Sequence, residues 1–199
     1  MATVAPLAGM VVLDVGCGTG FHLPRFHARA RHVIGVEPYG PSRLRAMARV
    51  AALGFERASV LMGAAAALPL ADASVDIAHA RFAYFFGPGC EPGLAELARV
   101  MRRGGTAFVV DNDLQSGTFA SWLRRHPDWE GADATTLDDF WTAQDFASRL
   151  VESEWRFESR VDLEAVVRLE FPSDSAEQIL AEHPGVAVDY HYRLRYRHY

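Results

Sequence analysis

The feature that most constrains the fold is a short apolar run that ends in a glycine-rich turn. Residues 10–15, Met-Val-Val-Leu-Asp-Val, have the β-branched, apolar character of a strand buried on both faces. Glycines follow at positions 16, 18 and 20, and a helix-like stretch covers about 21–30. A strand that passes through such a turn into a helix is typical of the opening unit of a parallel α/β sheet.

Strand-like and helix-like segments continue to alternate as far as residue 110. We therefore expect an α/β fold with a doubly wound, Rossmann-like sheet that is mostly parallel and has helices on both faces. Apolar runs predict strands at 32–37, 58–62, 75–80 and 106–110, and helical spacing predicts helices from Pro41 to Gly54 and over 92–101.

The character of the chain changes after about residue 113. All four tryptophans, Trp122, Trp129, Trp141 and Trp155, lie in the next stretch. Either they pack helices onto the sheet, or some of them line an apolar substrate pocket beyond the strand ends. Here we predict helices at 117–126, 138–152 and 174–183, a strand near 154–160, and an alternating, antiparallel C-terminal strand at 186–198.

The glycine spacing bears on the type of cofactor. A dinucleotide fingerprint is G-x-G-x-x-G, whereas this loop is G-x-G-x-G and has Phe21 at the last position, which disfavours a nicotinamide-dependent oxidoreductase. Glycines still allow a ligand to approach the backbone closely, and a helix N-terminus offers free N–H groups to a carboxylate. The amino-acid end of S-adenosylmethionine carries such a carboxylate.

Two acidic residues flank this loop in the expected fold. Glu37 ends the second strand, nineteen positions after Gly18, where its carboxylate would accept hydrogen bonds from both ribose hydroxyls. Asp14 is the last but one residue of the first strand. The alternatives are a solvated surface position for Glu37 and a turn or capping role for Asp14.

At this point the sequence resembles the class I S-adenosylmethionine-dependent methyltransferases, in particular the small quinone-biosynthesis-type C-methyltransferases. The resemblance covers about residues 10–113. It is carried by Val12 to Gly20, Val36-Glu37-Pro38, the segment 63–76 and Arg99 to Gly105. It implies that S-adenosylmethionine is the cofactor and that the binding residues are Asp14, Gly16, Cys17, Gly18, Gly20, Glu37, Pro38, Ala64, Ala65 and Ala80.

One departure from the family concerns the adenine. The family usually has an acidic residue where this chain has Ala64, so that hydrogen bond must come from elsewhere or be absent. The N–H of Ala65 would still meet a ring nitrogen, and the carbonyl of Ala80 would orient the methionine amino group. We therefore expect adenine binding that is weaker or less selective.

The resemblance implies methyl transfer to a small-molecule acceptor. The alternative within the same fold is a protein that binds S-adenosylmethionine without catalysis. No catalytic residue is assigned. His79, Asp111 and Asp113 are candidates for a general base, but His79 equally fits a core histidine and the two aspartates fit a helix cap. Arg81 would bind an anionic substrate or pair with an acid.

We interpret residues 1–199 as a single domain. Residues 1–113 form its cofactor-binding half, and 114–199 supply aromatic-rich substrate-side and C-terminal elements. The net charge of −5 argues against nucleic acid as a partner, no segment predicts a membrane span, and no Cys/His cluster predicts a metal. With two cysteines and no signal peptide we expect a cytoplasmic protein, and a homo-oligomer stays open.

Overall fold

The computed structural model describes residues 1, 3–129 and 133–199. Nine strands and seven α-helices are present in these ranges, together with a 3₁₀ turn at Pro127–Trp129. The strands are β1 (Val11–Val15), β2 (His32–Val36), β3 (Ala58–Leu61), β4 (Val75–Arg81), β5 (Met101–Asn112), β6 (Ala147–Val151), β7 (Glu154–Arg156), β8 (Ala187–Asp189) and β9 (Tyr192–His198). The helices are α1 (Leu23–His27), α2 (Gly40–Ala52), α3 (Glu91–Val100), α4 (Gly117–Leu123), α5 (Ala134–Ala143), α6 (Arg160–Glu170) and α7 (Ser173–Glu182).

Seven strands form one sheet in the order β3-β2-β1-β4-β5-β9-β6, and β7 pairs with β8 in a two-stranded antiparallel sheet. The pairs from β3 through β5 are all parallel. Gly104 and Gly105 bond to Tyr199, and Asp113 bonds to His191, so β9 runs antiparallel to β5. The strand order reverses direction between β1 and β4, which is where ligands bind in such sheets.

Helices cover both faces of this sheet. The Leu13 and Val15 face packs with Leu94 and Leu97 of α3 in one apolar core. On the Asp14 face, the ring of Phe26 in α1 lies 5.0 Å from that of His79 in β4. The predicted α/β, Rossmann-like sheet is therefore confirmed.

The chain forms two compact units. The larger comprises 1–111, 140–147 and 195–199, and the smaller comprises 112–139 and 148–194. Trp141 lies in the core of the larger unit, whereas Trp122, Trp129 and Trp155 pack in the core of the smaller one. Of the two alternatives for the tryptophans, the structure shows packing, with Trp141 and Trp122 buried in the separate cores of the two units and Trp129 and Trp155 partly buried against the smaller core. The single-domain organisation stays a prediction. Within the part of the chain that the structure covers, no helix has the length and apolar character needed to cross a membrane.

The structure corrects the predicted buried face of α2. The helical spacing that predicts this helix is formed by Leu44, Met47, Ala48 and Ala51, which would place Leu44 and Met47 on its buried face, but these two side chains are 64% and 47% exposed, and Ala46 is the buried residue of the helix. The reason lies in the glycine turn, because a Cβ on Gly20 would come within 3.2 Å of Ala46. Close backbone packing therefore selects a small residue rather than the larger apolar ones.

The predicted helix at 138–152 is also wrong in its extent. Helix α5 ends at Ala143, and β6 follows at Ala147–Val151. Asp145 between them has a φ angle of 61°, in the left-handed region that cannot continue a right-handed helix. This break brings Phe146 into the core beside Trp141, with their ring centroids 5.0 Å apart.

Candidate cofactor site

Hydrogen bonds join the glycine turn after β1 to the end of β2. Gly16, Gly18 and Gly20 have φ angles of 66°, 56° and 77°, which favour glycine. The amides of Gly16 and Cys17 both donate to the carbonyl oxygen of Val36, at 2.8 and 3.1 Å. The turn is thereby held beside the acidic residue that follows β2.

The three glycines meet different surroundings. A Cβ on Gly16 would lie 2.4 Å from the Cβ of Ala83, and one on Gly20 would lie 3.2 Å from Ala46. A Cβ on Gly18 would meet no atom within 4 Å. Packing therefore excludes a larger residue at 16, and tight packing together with a positive φ favours glycine at 20, whereas Gly18 exposes its backbone to open space that a ligand can enter.

Glu37 is buried and is held by two backbone amides. Its Oε2 accepts from the Gly18 N–H at 2.8 Å, and its Oε1 accepts from the Tyr39 N–H at 2.9 Å. A carboxylate has about four acceptor positions, so each oxygen keeps one for a further donor. The solvated alternative is excluded, since the residue is only 7% exposed.

A cavity of about 460 Å³ opens where these segments meet, at the carboxyl ends of β1, β2 and β4. Its volume lies in the range of about 300–1,000 Å³ typical of small-molecule sites. Six of the ten residues predicted for the cofactor site contribute to its lining. The lining consists of Val15, Gly16, Gly18, Glu37, Pro38, Ala64, Ala65, Phe82, Ala83 and Tyr84.

The other four predicted residues lie outside this lining. Asp14, Cys17 and Ala80 are buried, and Gly20 packs against α1 and α2. Burial, together with the negative charges of Asp14 and Glu37, raises the pKa of the Cys17 thiol to about 12. Cys17 therefore contributes its backbone to the turn, and its side chain is a buried, uncharged thiol that packs in the core.

Asp14 pairs with His79 on the adjacent strand. The two residues are directly opposite in the parallel β1–β4 ladder, and Oδ1 of Asp14 lies 2.7 Å from Nδ1 of His79. Both side chains are 4% exposed, and Oδ2 of Asp14 is buried with no hydrogen-bond partner among the residues that the structure describes. His79 is thus a core histidine that Asp14 orients, as one of the two sequence interpretations held.

The segment 63–76, which is predicted to lie beside the adenine, is held in place by Arg99, an arginine to which the sequence analysis gave no individual role. Arg99 of α3 donates to the carbonyl oxygens of Leu68 and Leu70, at 3.0 and 2.7 Å. Glu96 accepts from Arg99 and from the Leu68 N–H, each at 2.7 Å. Hydrogen bonding from Arg99 lowers the pKa of Glu96 to about 2. The Glu-x-x-Arg spacing on α3 is the sequence signal for this pair.

Phe82, Ala83 and Tyr84 were not predicted to belong to the site. They directly follow β4, and Phe82 and Tyr84 have φ angles of 51° and 59°. Their place at the carboxyl end of a strand next to the switch point is the signal that pointed to them. The left-handed backbone of two aromatic residues could not be read from the sequence.

The candidate base Asp113 is engaged in a turn. Its Oδ2 accepts from the N–H and the hydroxyl of Ser116, at 2.8 and 2.7 Å, and its Oδ1 accepts from Arg193 at 2.5 Å. Although burial raises the pKa of Asp113, these bonds and the Arg193 charge hold it below its usual value. The helix-start role therefore fits Asp113 better than a base. Asp111 is buried within β5.

Known proteins resemble this chain at the same segments. Residues 12–105 match a family described as a methyltransferase domain. The ubiquinone/menaquinone biosynthesis C-methyltransferase of Rubrivivax gelatinosus is 34% identical over 120 residues, which are 60% of this chain and 45% of that protein. The chain spans about half the length, or less, of the first curated relatives it matches.

Solved structures share the fold over nearly the whole chain. The YcgJ protein of Bacillus subtilis superposes with a TM-score of 0.66 at 21% identity, covering 95% of this chain and 91% of that one. Geranyl diphosphate methyltransferase in complex with S-adenosylmethionine superposes with a TM-score of 0.62 at 15% identity, covering 94% and 77%. At these identities the likeness extends to the fold alone.

Proposed function

We propose that this chain transfers a methyl group from S-adenosylmethionine to a small-molecule acceptor, a proposal supported by the match of residues 12–105 to the methyltransferase domain family. The observation that carries the proposal is the cavity in which Gly18 and Glu37 face the same space. Gly18 leaves that space open to a ligand, and the Glu37 carboxylate offers hydrogen-bond acceptors to hydroxyl groups of the ligand. An adenosyl group carries two such hydroxyls on its ribose.

The residues present fit this cofactor. Glu37 would accept from the ribose hydroxyls with the acceptor positions that Gly18 and Tyr39 leave, and its two amide bonds keep it oriented beforehand. The N–H of Ala65 would meet an adenine ring nitrogen. Ala64 brings no acceptor from its side chain, so we propose weaker selectivity for the adenine amino group.

The cofactor would supply an activated methyl group on a sulfonium, and the protein would supply orientation and exclusion of water. Positioning alone accounts for about 7–11 kcal/mol of a barrier. The titratable side chains in the cavity lining are Glu37 and Tyr84, and Glu37 is held by the backbone. We therefore propose catalysis by positioning and assign no general base. The two buried, unpaired cysteines support a reducing compartment, for which we propose the cytoplasm.

The experiment is a transfer assay with S-adenosylmethionine labelled in its methyl group. The protein is incubated with panels of phenols, quinols, amines and carboxylic acids, and transfer of the label to the acceptor is measured together with release of S-adenosylhomocysteine. We expect release with at least one class and a loss of release in Glu37→Ala, while Glu56→Ala, which removes an exposed glutamate outside the cavity lining, keeps it. If the protein bound neither S-adenosylmethionine nor S-adenosylhomocysteine, the proposal would be contradicted.

A further inference from the structure

Tyr84 lines the cavity with an aromatic ring that the protein covers only in part. The residue is 37% exposed, and its hydroxyl has no hydrogen-bond partner among the residues that the structure describes. Within those residues its one contact with another ring is edge-on with Phe85, at 5.3 Å between the centroids. Part of the aromatic surface of Tyr84 is therefore open to a ligand.

The helix behind Tyr84 fixes the position of its ring. A Cβ on Gly93 of α3 would collide with Cε1 of Tyr84 and lie 2.9 Å from its Cδ1, so the ring packs directly on the glycine. The Tyr84 backbone is left-handed, with a φ angle of 59°, and its carbonyl oxygen accepts from the Phe86 N–H at 3.0 Å. The ring thus has a set place on the cavity wall that a ligand does not have to create.

The other aromatic residue of the lining, Phe82, already has a cation beside its ring. The guanidinium carbon of Arg81 lies 4.4 Å from the Phe82 ring centroid. No arginine of the described residues lies over the Tyr84 ring. Of the two aromatic rings in the lining, Tyr84 is therefore the one whose face is left for a cation from outside the chain.

The charge of the lining also favours a positively charged ligand. Among the described residues that form it, Glu37 is the one charged side chain, and it is acidic. This lining includes no arginine or histidine, and the chain contains no lysine. An aromatic face attracts a cation that lies within about 6 Å of the ring centroid. A positive group in the cavity would therefore meet a carboxylate and an aromatic ring, and no like charge from the lining residues.

The strand order places Tyr84 at one end of the cavity. Because the order is β3-β2-β1-β4, the lining residues follow one another as Ala65 after β3, Glu37 after β2, the glycine turn after β1 and Tyr84 after β4. Strand β4 lies two strands from β2, which is about 10 Å at ordinary strand spacing. With adenine at Ala65 and ribose at Glu37, the sulfur-bearing end of the methyl donor extends toward the end of the cavity that Tyr84 lines.

We propose that the face of the Tyr84 ring binds the positively charged sulfonium of S-adenosylmethionine. Tyr84 then determines how strongly the site prefers this charged donor over the neutral product, S-adenosylhomocysteine. The inference rests on the proposed function, because that function places the donor in this cavity. The positive charge is lost when the methyl group leaves, since the electron pair of the C–S bond stays on sulfur. The same ring then binds the product less tightly, which favours its exchange for a new donor.

The test compares affinities for S-adenosylmethionine, S-adenosylhomocysteine and sinefungin, which carries an ammonium group in place of the methylated sulfur. Calorimetry measures each affinity without any turnover. Tyr84→Leu replaces the ring by an apolar side chain, and we expect it to weaken the two cations about threefold or more relative to S-adenosylhomocysteine. Tyr84→Phe keeps the ring, so the affinity ratios should stay within about twofold of those of the natural chain.

Phe86→Leu is the matched control, since Phe86 is an exposed aromatic residue of the same loop and lies outside the cavity lining. It should leave the affinity ratios unchanged. A further replacement keeps the test valid if Tyr84→Leu fails to fold. Phenylalanine with fluorine at ring positions 3, 4 and 5 has nearly the shape of phenylalanine, but its face is less negative. At position 84 it should weaken both cations about twofold or more relative to Tyr84→Phe and leave S-adenosylhomocysteine unchanged.

Four results would overturn the inference. Tyr84→Leu keeps the ratios of the natural chain, Phe86→Leu changes them as much as Tyr84→Leu does, or the fluorinated ring binds the cations as phenylalanine does. The fourth is a loss for S-adenosylmethionine but not for sinefungin, which would trace the effect to the methyl group rather than to the charge. If neither adenosyl compound binds the natural chain, it is the proposed function that fails, so the two failures are distinct.

Discussion

The backbone N–H of Gly18 donates a 2.8 Å hydrogen bond to Oε2 of Glu37, across nineteen positions of sequence. This bond joins the glycine turn after β1 to the residue that follows β2. It holds the Glu37 carboxylate in place within the protein itself, so a ligand does not have to order it. Preorganisation of this kind lowers the cost of binding.

Gly18→Val is expected to abolish cofactor binding while the fold survives. The side chain would enter the space in which no atom lies within 4 Å, and the φ angle of 56° adds strain of about 1–2 kcal/mol. Gly54→Val is the matched control, since Gly54 has a φ angle of 62° and equally open surroundings, but lies outside the cavity lining. Calorimetry and chemical denaturation should find similar stability loss in both and a binding loss only in Gly18→Val. Normal binding by Gly18→Val would refute the placement of the site.

Asp14→Ala and His79→Ala are each expected to lower the free energy of unfolding by about 1–3 kcal/mol, because each leaves a buried polar partner without its bond. The double variant should lose less than the sum of the two, since the bond can be lost only once. Urea denaturation of the four proteins measures this coupling. Asp14→Ala combined with Thr106→Val, which breaks the separate Thr106–His198 bond, is the control and should be additive within about 0.5 kcal/mol. Additive losses for Asp14 and His79 would mean that their contact contributes nothing.

The stabilising effect of Glu96 should depend on pH. Hydrogen bonding from Arg99 lowers the pKa of Glu96 from 4.5 to about 2. A carboxyl whose pKa falls on folding stabilises the protein above its unfolded-state pKa and loses this effect as the pH falls through its folded-state pKa. The difference in unfolding temperature between the natural chain and Glu96→Gln should be constant above about pH 4.5 and shrink toward zero near pH 2.

Circular dichroism melts across this range measure that difference. Glu56→Gln, at an exposed glutamate between α2 and β3, serves as the control variant. A difference for Glu96→Gln that stays the same down to pH 2 would show that Glu96 does not stabilise the fold through Arg99.

Cys17 should resist thiol reagents in the folded protein despite its place in the turn. Burial and the nearby acids raise its pKa to about 12, so very little thiolate exists near pH 8. Burial raises the pKa of Cys90 as well. We expect mass spectrometry after treatment with iodoacetamide to find both thiols unmodified in buffer and both modified in urea. Rapid modification of Cys17 without denaturant would contradict its buried, uncharged state.

The part of the site that the sequence could predict is the part made by consecutive residues. Strand β1, the glycine turn, β2 and Glu37 follow from a local pattern, because each residue's role is set by its neighbours along the chain. Helix α6 also had a local signal that was overlooked. Ser159 accepts from the Asp162 N–H at its N-terminus, which is a capping pattern visible in the sequence.

What the sequence could not predict depends on contacts between distant residues. The buried Ala46 of α2 is selected by the glycine turn. The alternating pattern of the C-terminal strand puts Arg195 on its polar side, yet Arg195 is buried with its guanidinium carbon 5.2 Å from the Trp141 ring centroid. Phe82 and Tyr84 line the cavity with left-handed backbone, and aromatic residues give no sequence signal for that conformation. Partners far apart in sequence decide each of these positions.

The most direct test of the central claim is calorimetric titration of the purified chain with S-adenosylhomocysteine and, separately, with NAD. The account predicts one bound S-adenosylhomocysteine per chain and no heat from NAD. It also predicts affinity about tenfold or more lower in Glu37→Ala, which loses at least one charged hydrogen bond, and unchanged affinity in Glu56→Ala. Binding of NAD without binding of S-adenosylhomocysteine, or equal affinity in Glu37→Ala, would contradict it.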